Sequence, residues 1–366
     1  MAKIKRKKRR SPLRQMLSPR RLAIPVVIGL GLIVYLLVTE IDFSKLQEIS
    51  WNPRIIGWLL LALAAAAFRD VGYMFRLRTL SEKKIKWRNI FDDIMLWEFS
   101  SSITPSVVGG SGIAIFILSK EKISVGRSTA IVMITAFLDE LFYVVMVPLL
   151  LILVGTEQLF PDSAPSAYIF GVEWGVKQVF WVGYGFIIVL ISAILFGIFI
   201  SPRRTKMLII RVFMIPFLRR WIRAAYKAGD DLITTSKELR NKSLGFWAQT
   251  FGATAVSWTS RFLVANFILM AFTDMSFHEN LIVLSRQLVM WVIMLISPTP
   301  GGAGIAEFAF DGFLKDFAPD DNLSWALAIF WRLITYYVYL FIGIIVLPNW
   351  IQRVYLKRKL IKFKKQ

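Results

Sequence analysis

Six stretches of this chain stay apolar for about the length a helix needs to cross a hydrocarbon layer, roughly 20 residues. They lie at 22–38, 55–75, 129–153, 179–200, 246–272 and 325–347. Lipid offers no partner to a bare N–H or C=O, so each run must satisfy its own backbone. The runs are too long and continuous for barrel strands. An all-α polytopic membrane protein follows, and the hydrophobic share of 56% among 366 residues agrees with it.

Two further apolar regions, 90–118 and 281–313, are broken in the middle by proline and glycine. The formal net charge of +21 decides how they run. The basic residues stand in blocks beside the apolar runs, as positive-inside bias requires, which argues against a nucleic-acid partner. "RLRTLSEKKIKWR", "SPRRTKMLIIRVFMIPFLRRWIRAAYKAG" and "KRKLIKFKK" are the basic connections, while "TEIDFSKLQEIS" and "GTEQLFPDSAPSAYIFGVEWG" are acidic. With the tail "MAKIKRKKRR" on the cytoplasmic side, these blocks sort correctly only if each broken region enters and leaves on one face. The expected fold is therefore about six full transmembrane helices plus two opposed re-entrant helical hairpins. It would form one transmembrane domain, 22–347, between basic cytoplasmic tails at 1–21 and 348–366.

A weak internal repeat points the same way. "TPSVVGGSGIAIF" and "TPGGAGIAEF" share their order of Thr-Pro, Gly-Gly and Gly-Ile-Ala. Arg69 and Arg261 stand 192 residues apart, as do Gly110 and Gly302; after the hairpins Ser128 with Ser324 and Tyr143 with Tyr339 stand 196 apart. The units, 53–154 and 244–347, start on opposite sides, an inverted repeat. Between them lies a span and an amphipathic segment, 178–243, in which 217–227 has the spacing of a helix lying on the membrane surface.

Irregular backbone at membrane depth is tolerated only under protein cover or along a watery cavity. The glycines of both clusters, Gly109, Gly110 and Gly112, then Gly301, Gly302 and Gly304, with Thr299, are expected at hairpin tips that receive an anionic group such as a lipid phosphate. Charges inside spans are costly and mark function or structural pairing. Arg69, Arg261 and Arg332 are the expected headgroup binders, since a guanidinium grips phosphate bidentately. Asp70, Glu98, Asp139, Glu140, Arg286, Glu307 and Tyr336 are the candidates for gating or proton coupling. His278, the one histidine, reads as a solvated loop residue, and with no cysteine and no histidine cluster neither a metal site nor a cofactor is expected.

"PTPGGAGIAEF" followed by "SWALAIFWRLITYYVYLFIGI" resembles the lysylphosphatidylglycerol synthase transmembrane-region family, whose layout fits the chain over 22–347. The resemblance implies a bacterial inner-membrane protein, both termini cytoplasmic, that translocates a polar, anionic or phosphate-bearing lipid between leaflets. Its partners would be membrane lipids, with anionic headgroups at the cytoplasmic face, and homo-oligomerisation stays open. Two positions depart from the family pattern: Gly112 is followed by Ile113 where an acidic residue is usual, and Thr135 with Ala136 replace a Glu-Arg pair. With the chain ending at Gln366, lysyl-lipid synthesis is not expected, and no catalytic motif marks an enzyme. An integral-membrane lipid-modifying enzyme and a non-transporting scaffold for an envelope-synthesis partner are the alternatives.

Overall fold

The computed structural model describes residues 51–104, 106–161, 167–169, 172–294, 299, 302 and 304–356. The expected span 22–38, both tails beyond these limits, Pro298, Pro300 and Gly301 lie outside the described residues. Helix α1 (Pro53–Leu80) opens with Asn52 accepting a hydrogen bond from the Ile55 amide at 3.0 Å and proline at its first position, the start that helix-end chemistry favours. It is followed by α2 (Trp87–Ile103), α3 (Ser106–Lys120) and α4 (Val125–Val154). A short antiparallel hairpin, β1 (Ala167–Ile169) with β2 (Val172–Trp174), interrupts the connection to α5 (Val176–Leu195), which continues through a π turn to Ile200.

The second half contains α6 (Pro202–Phe213), α7 (Ile222–Leu239), α8 (Leu244–Phe272), α9 (Phe277–Met294), α10 (Ile305–Leu314), α11 (Asp321–Arg332) and α12 (Val338–Ile351). A π turn, Leu333–Tyr337, joins the last two into one apolar span, Leu323–Val354. With α1, α4, α5 through its π turn, and α8, that makes five helices among the described residues long and apolar enough to cross a membrane. Their outer sides carry exposed Leu60, Leu63 and Phe68 on α1 and Phe186 and Val189 on α5. Such a surface is stable against hydrocarbon. The surface helix expected at 217–227 differs: Pro216 and a single 3-10 turn, Arg219–Trp221, separate α6 from α7. Proline cannot continue the backbone ladder, so the amphipathic segment is two helices.

Side-chain contacts define the two ends of the bundle. At one end Arg127 donates to the Leu80 carbonyl and pairs with Glu82 and Glu238, and Lys242 also pairs with Glu82. The base of the α2/α3 hairpin sits there too: Asn89 donates to Glu121 at 2.8 Å, and Arg353 holds Asp92 and Glu121. At the opposite end Arg54 pairs with Asp274, and Thr273 donates to the Phe317 carbonyl beside the base of α9 and α10. His278 contacts Gln158 there; it is exposed as expected, but stands in the first turn of α9 and not in a loop.

Lys242 donates a hydrogen bond to Glu82, and with Arg127 it holds that loop carboxylate down at a pKa of about 2. The ordinary value is about 4.3. A folded-state pKa below the unfolded one adds stability above the unfolded value that is lost as pH falls toward 2. We expect Lys242→Ala to shrink that loss and Glu82→Gln to remove it, read as melting temperature between pH 5 and 2.

The α2/α3 hairpin docks on α12 through one close approach. A Cβ at Gly343 would lie 2.2 Å from Cγ of Phe99, a ring that is buried and has nowhere to move. Gly343→Ala should therefore cost about 1–3 kcal/mol in thermal unfolding, the usual penalty of overpacking. Gly57→Ala, whose added methyl meets nothing within 4 Å, is the neutral control.

Candidate functional site: a charged cavity between the two hairpins

Both helix pairs break beside one cavity. The first break falls at Thr104, one residue after the end of α2. Hydroxyls of Ser100, Ser102 and Thr104 turn back onto carbonyls of their own helix, at 2.7–2.9 Å, and that of Thr104 satisfies the Ser100 carbonyl, an acceptor that the helix end would leave bare. The break comes before the glycine cluster, so Gly109, Gly110 and Gly112 stand inside α3 and not at a tip. Gly110 has a packing role, since a Cβ there would meet Oγ of Ser101 at 2.3 Å.

The second break does use its glycines as backbone. Gly302 and Gly304 have φ of 70° and 86°, conformations that L side chains resist. Gly304 is the N-cap of α10, and its N–H donates to Oε2 of Glu307 at 2.8 Å. The other carboxylate oxygen, Oε1, accepts from Nε of Arg332 at 3.1 Å. Glu307 is fully buried and Arg332 nearly so. One carboxylate thus ties the start of a half-helix to the neighbouring span.

The cavity has a volume of about 280 Å³, with Thr104 and Ser111 from the first broken pair and Thr299 and Gly302 from the second in its wall. Of the residues expected at a site, Glu98, Asp139, Glu140, Arg261, Thr299, Gly302, Arg332 and Tyr336 line it. Four residues apart, Arg332 and Tyr336 share a wall beside the π turn: the guanidinium lies 4.2 Å from the Tyr336 ring centre, and the Tyr336 hydroxyl donates to the Ser102 carbonyl at 3.0 Å. Such turns often mark functional positions.

Arg69, Asp70, Glu307 and Gly304 stand outside the lining. Arg69, 1% exposed, pairs with Glu98 and lies under the ring of Tyr339, which in turn donates to Asp70 at 2.9 Å. It therefore anchors a lining carboxylate from behind. Arg286 sits apart from the cavity, donating to the carbonyls of Gln158 and Phe313 at 3.0 Å and to Asp316 at 2.7 Å, so it closes the base of the α9/α10 pair.

Arg76, Trp258 and Trp291 are among the lining residues that the sequence did not point to. Arg76, grouped there with the basic connection, is buried and pairs with Asp139 at 2.5 Å while donating to Thr254 at 3.0 Å. Its signal was its spacing: seven residues after Arg69, it falls on the same helix face. Trp258 donates to the same Asp139 at 2.8 Å. Trp258 and Trp291 flank Arg261, whose guanidinium lies 5.2 and 4.4 Å from their ring centres.

Fold and cavity define a multi-pass helical membrane protein with a charged chamber at the junction of two broken helix pairs. The sequence matches the family of the lysylphosphatidylglycerol synthase TM region over residues 22–343, and the chain belongs to that family. It is also similar to a UPF0104 membrane protein of Archaeoglobus fulgidus, 26% identical over 335 residues, 86% of this chain and 94% of that protein. No solved structure matches. Family membership points to a lipid-related membrane function.

Proposed function

We propose that the protein translocates a polar, phosphate-bearing lipid between the leaflets of a bacterial inner membrane. The observation that carries this reading is the cavity itself, walled by both helix breaks and by Arg76, Arg261 and Arg332. Charged groups inside spans mark substrate pathways. The end of the bundle holding Arg127, Lys242 and Arg353 is read as cytoplasmic by the positive-inside rule, with both termini there. On that reading α2 and α3 form a re-entrant hairpin from the cytoplasm, and α9 and α10 one from outside. The contacts at the two hairpin bases, Asn89 with Glu121 and Arg286 with Phe313, support this. Opposed hairpins in an inverted repeat would give alternating access to one central site.

The chain is read as a carrier and not as an enzyme. Purified protein in vesicles should accelerate leaflet exchange of labelled phospholipids, and Arg261→Gln should slow it at least about tenfold, the scale of a lost charge-assisted hydrogen bond. Exchange no faster than in protein-free vesicles, across several headgroups, overturns the reading. A covalently altered lipid recovered from those vesicles would point to the lipid-modifying alternative.

A further inference from the structure

Most of the charges in the cavity wall already have partners. Arg76 is neutralised by Asp139, Arg332 by Glu307, and Glu98 by Arg69. Two are left over. Arg261 makes no ion pair among the described residues, its guanidinium bounded by two indole faces. Glu140 likewise has none, and its Oε2 is buried without a hydrogen-bond partner. One turn further along α4 the hydroxyl of Tyr143, a residue 1% exposed, is also buried and unpartnered.

Buried polar groups are almost always satisfied, so two buried orphan oxygens beside a half-buried arginine without an ion pair, all in the wall of one chamber, call for a ligand. Its chemistry follows from their signs. A purely anionic headgroup would satisfy Arg261 and be repelled by Glu140; a purely cationic one would do the reverse. We infer that the cavity is complementary to a compact zwitterionic headgroup, its phosphate taken by Arg261 with the Tyr143 hydroxyl and its ammonium by Glu140. This rests on the lipid-binding reading above and narrows it. A guanidinium offers the paired donors that phosphate oxygens accept, and an ammonium supplies three donors to a carboxylate. The volume, about 280 Å³, lies at the small end for ligand cavities and suits a headgroup of a few heavy atoms, not an oligosaccharide.

The test is lipid binding by the full-length protein in detergent, measured by native mass spectrometry. Three probes are used: phosphatidylethanolamine, its N-acetylated form, which lacks the cation, and phosphatidylglycerol, which carries the anion alone. The wild-type protein should favour phosphatidylethanolamine over the other two by roughly tenfold, as one charge-assisted contact predicts. Glu140→Gln should abolish that preference, and Arg261→Gln should weaken all three. Phosphatidylglycerol or the N-acetylated lipid binding as tightly as phosphatidylethanolamine overturns the inference and needs no variant to fold. So does a Glu140→Gln protein that weakens all three alike. Binding of none of the three instead sinks the lipid-binding reading itself.

Discussion

Glu307→Ala should lower the stability of the purified protein by about 3–5 kcal/mol, the cost of leaving a buried charge without its partner. The carboxylate holds the amide that opens α10 and the guanidinium of Arg332, so its loss strands both. Glu307→Gln keeps an acceptor for the Gly304 amide and should fall between. The decisive comparison adds Arg332→Gln to Glu307→Gln. With both charges removed, stability should exceed that of the Glu307→Gln single variant, because desolvating a lone arginine is then no longer required. Thermal unfolding followed by tryptophan fluorescence reads all four proteins. A Glu307→Ala protein that melts with the wild type would show that the second helix break is held by something else.

The second large effect is at the joint of α1, α4 and α8. Arg76→Met should cost about 3–5 kcal/mol, because Asp139 keeps only the indole donor of Trp258 and remains charged in the cavity wall. Asp139→Asn in the same chain should recover part of that loss. A double-mutant cycle should give a coupling of about 0.5–3 kcal/mol between the two positions. Independent, additive losses would mean that the 2.5 Å pair contributes nothing specific. Arg76 also lines the cavity, so the double variant separates folding from transport: it should fold and still exchange lipid slowly.

Apolar length predicted the spans because a bilayer leaves helix as the one way to satisfy twenty consecutive backbone groups. The runs at 55–75, 129–153, 179–200, 246–272 and 325–347 each became part of a long helix. Proline and glycine likewise announced both breaks, and the positive φ of Gly302 and Gly304 is a local property that a glycine announces by lacking a Cβ. At the first cluster the same signal misled. The helix ends at Ile103 with Thr104 as its cap, while Gly110 serves a contact with Ser101 that only the neighbouring helix reveals.

Charges were legible as buried or functional, and their partners were not. Local spacing announces that Arg69, Arg261 and Arg332 sit inside apolar runs. It does not announce that Arg69 anchors Glu98, that Arg332 meets Glu307, or that Arg76 belongs to Asp139 and not to the loop that follows it. Element length and backbone satisfaction are properties of a few consecutive residues, so the sequence by itself determined the helices, their breaks and the presence of intramembrane charge. Which charges neutralise one another, and which two make no ion pair among the described residues, depends on groups brought together from tens to hundreds of residues apart. Only the tertiary structure decided that.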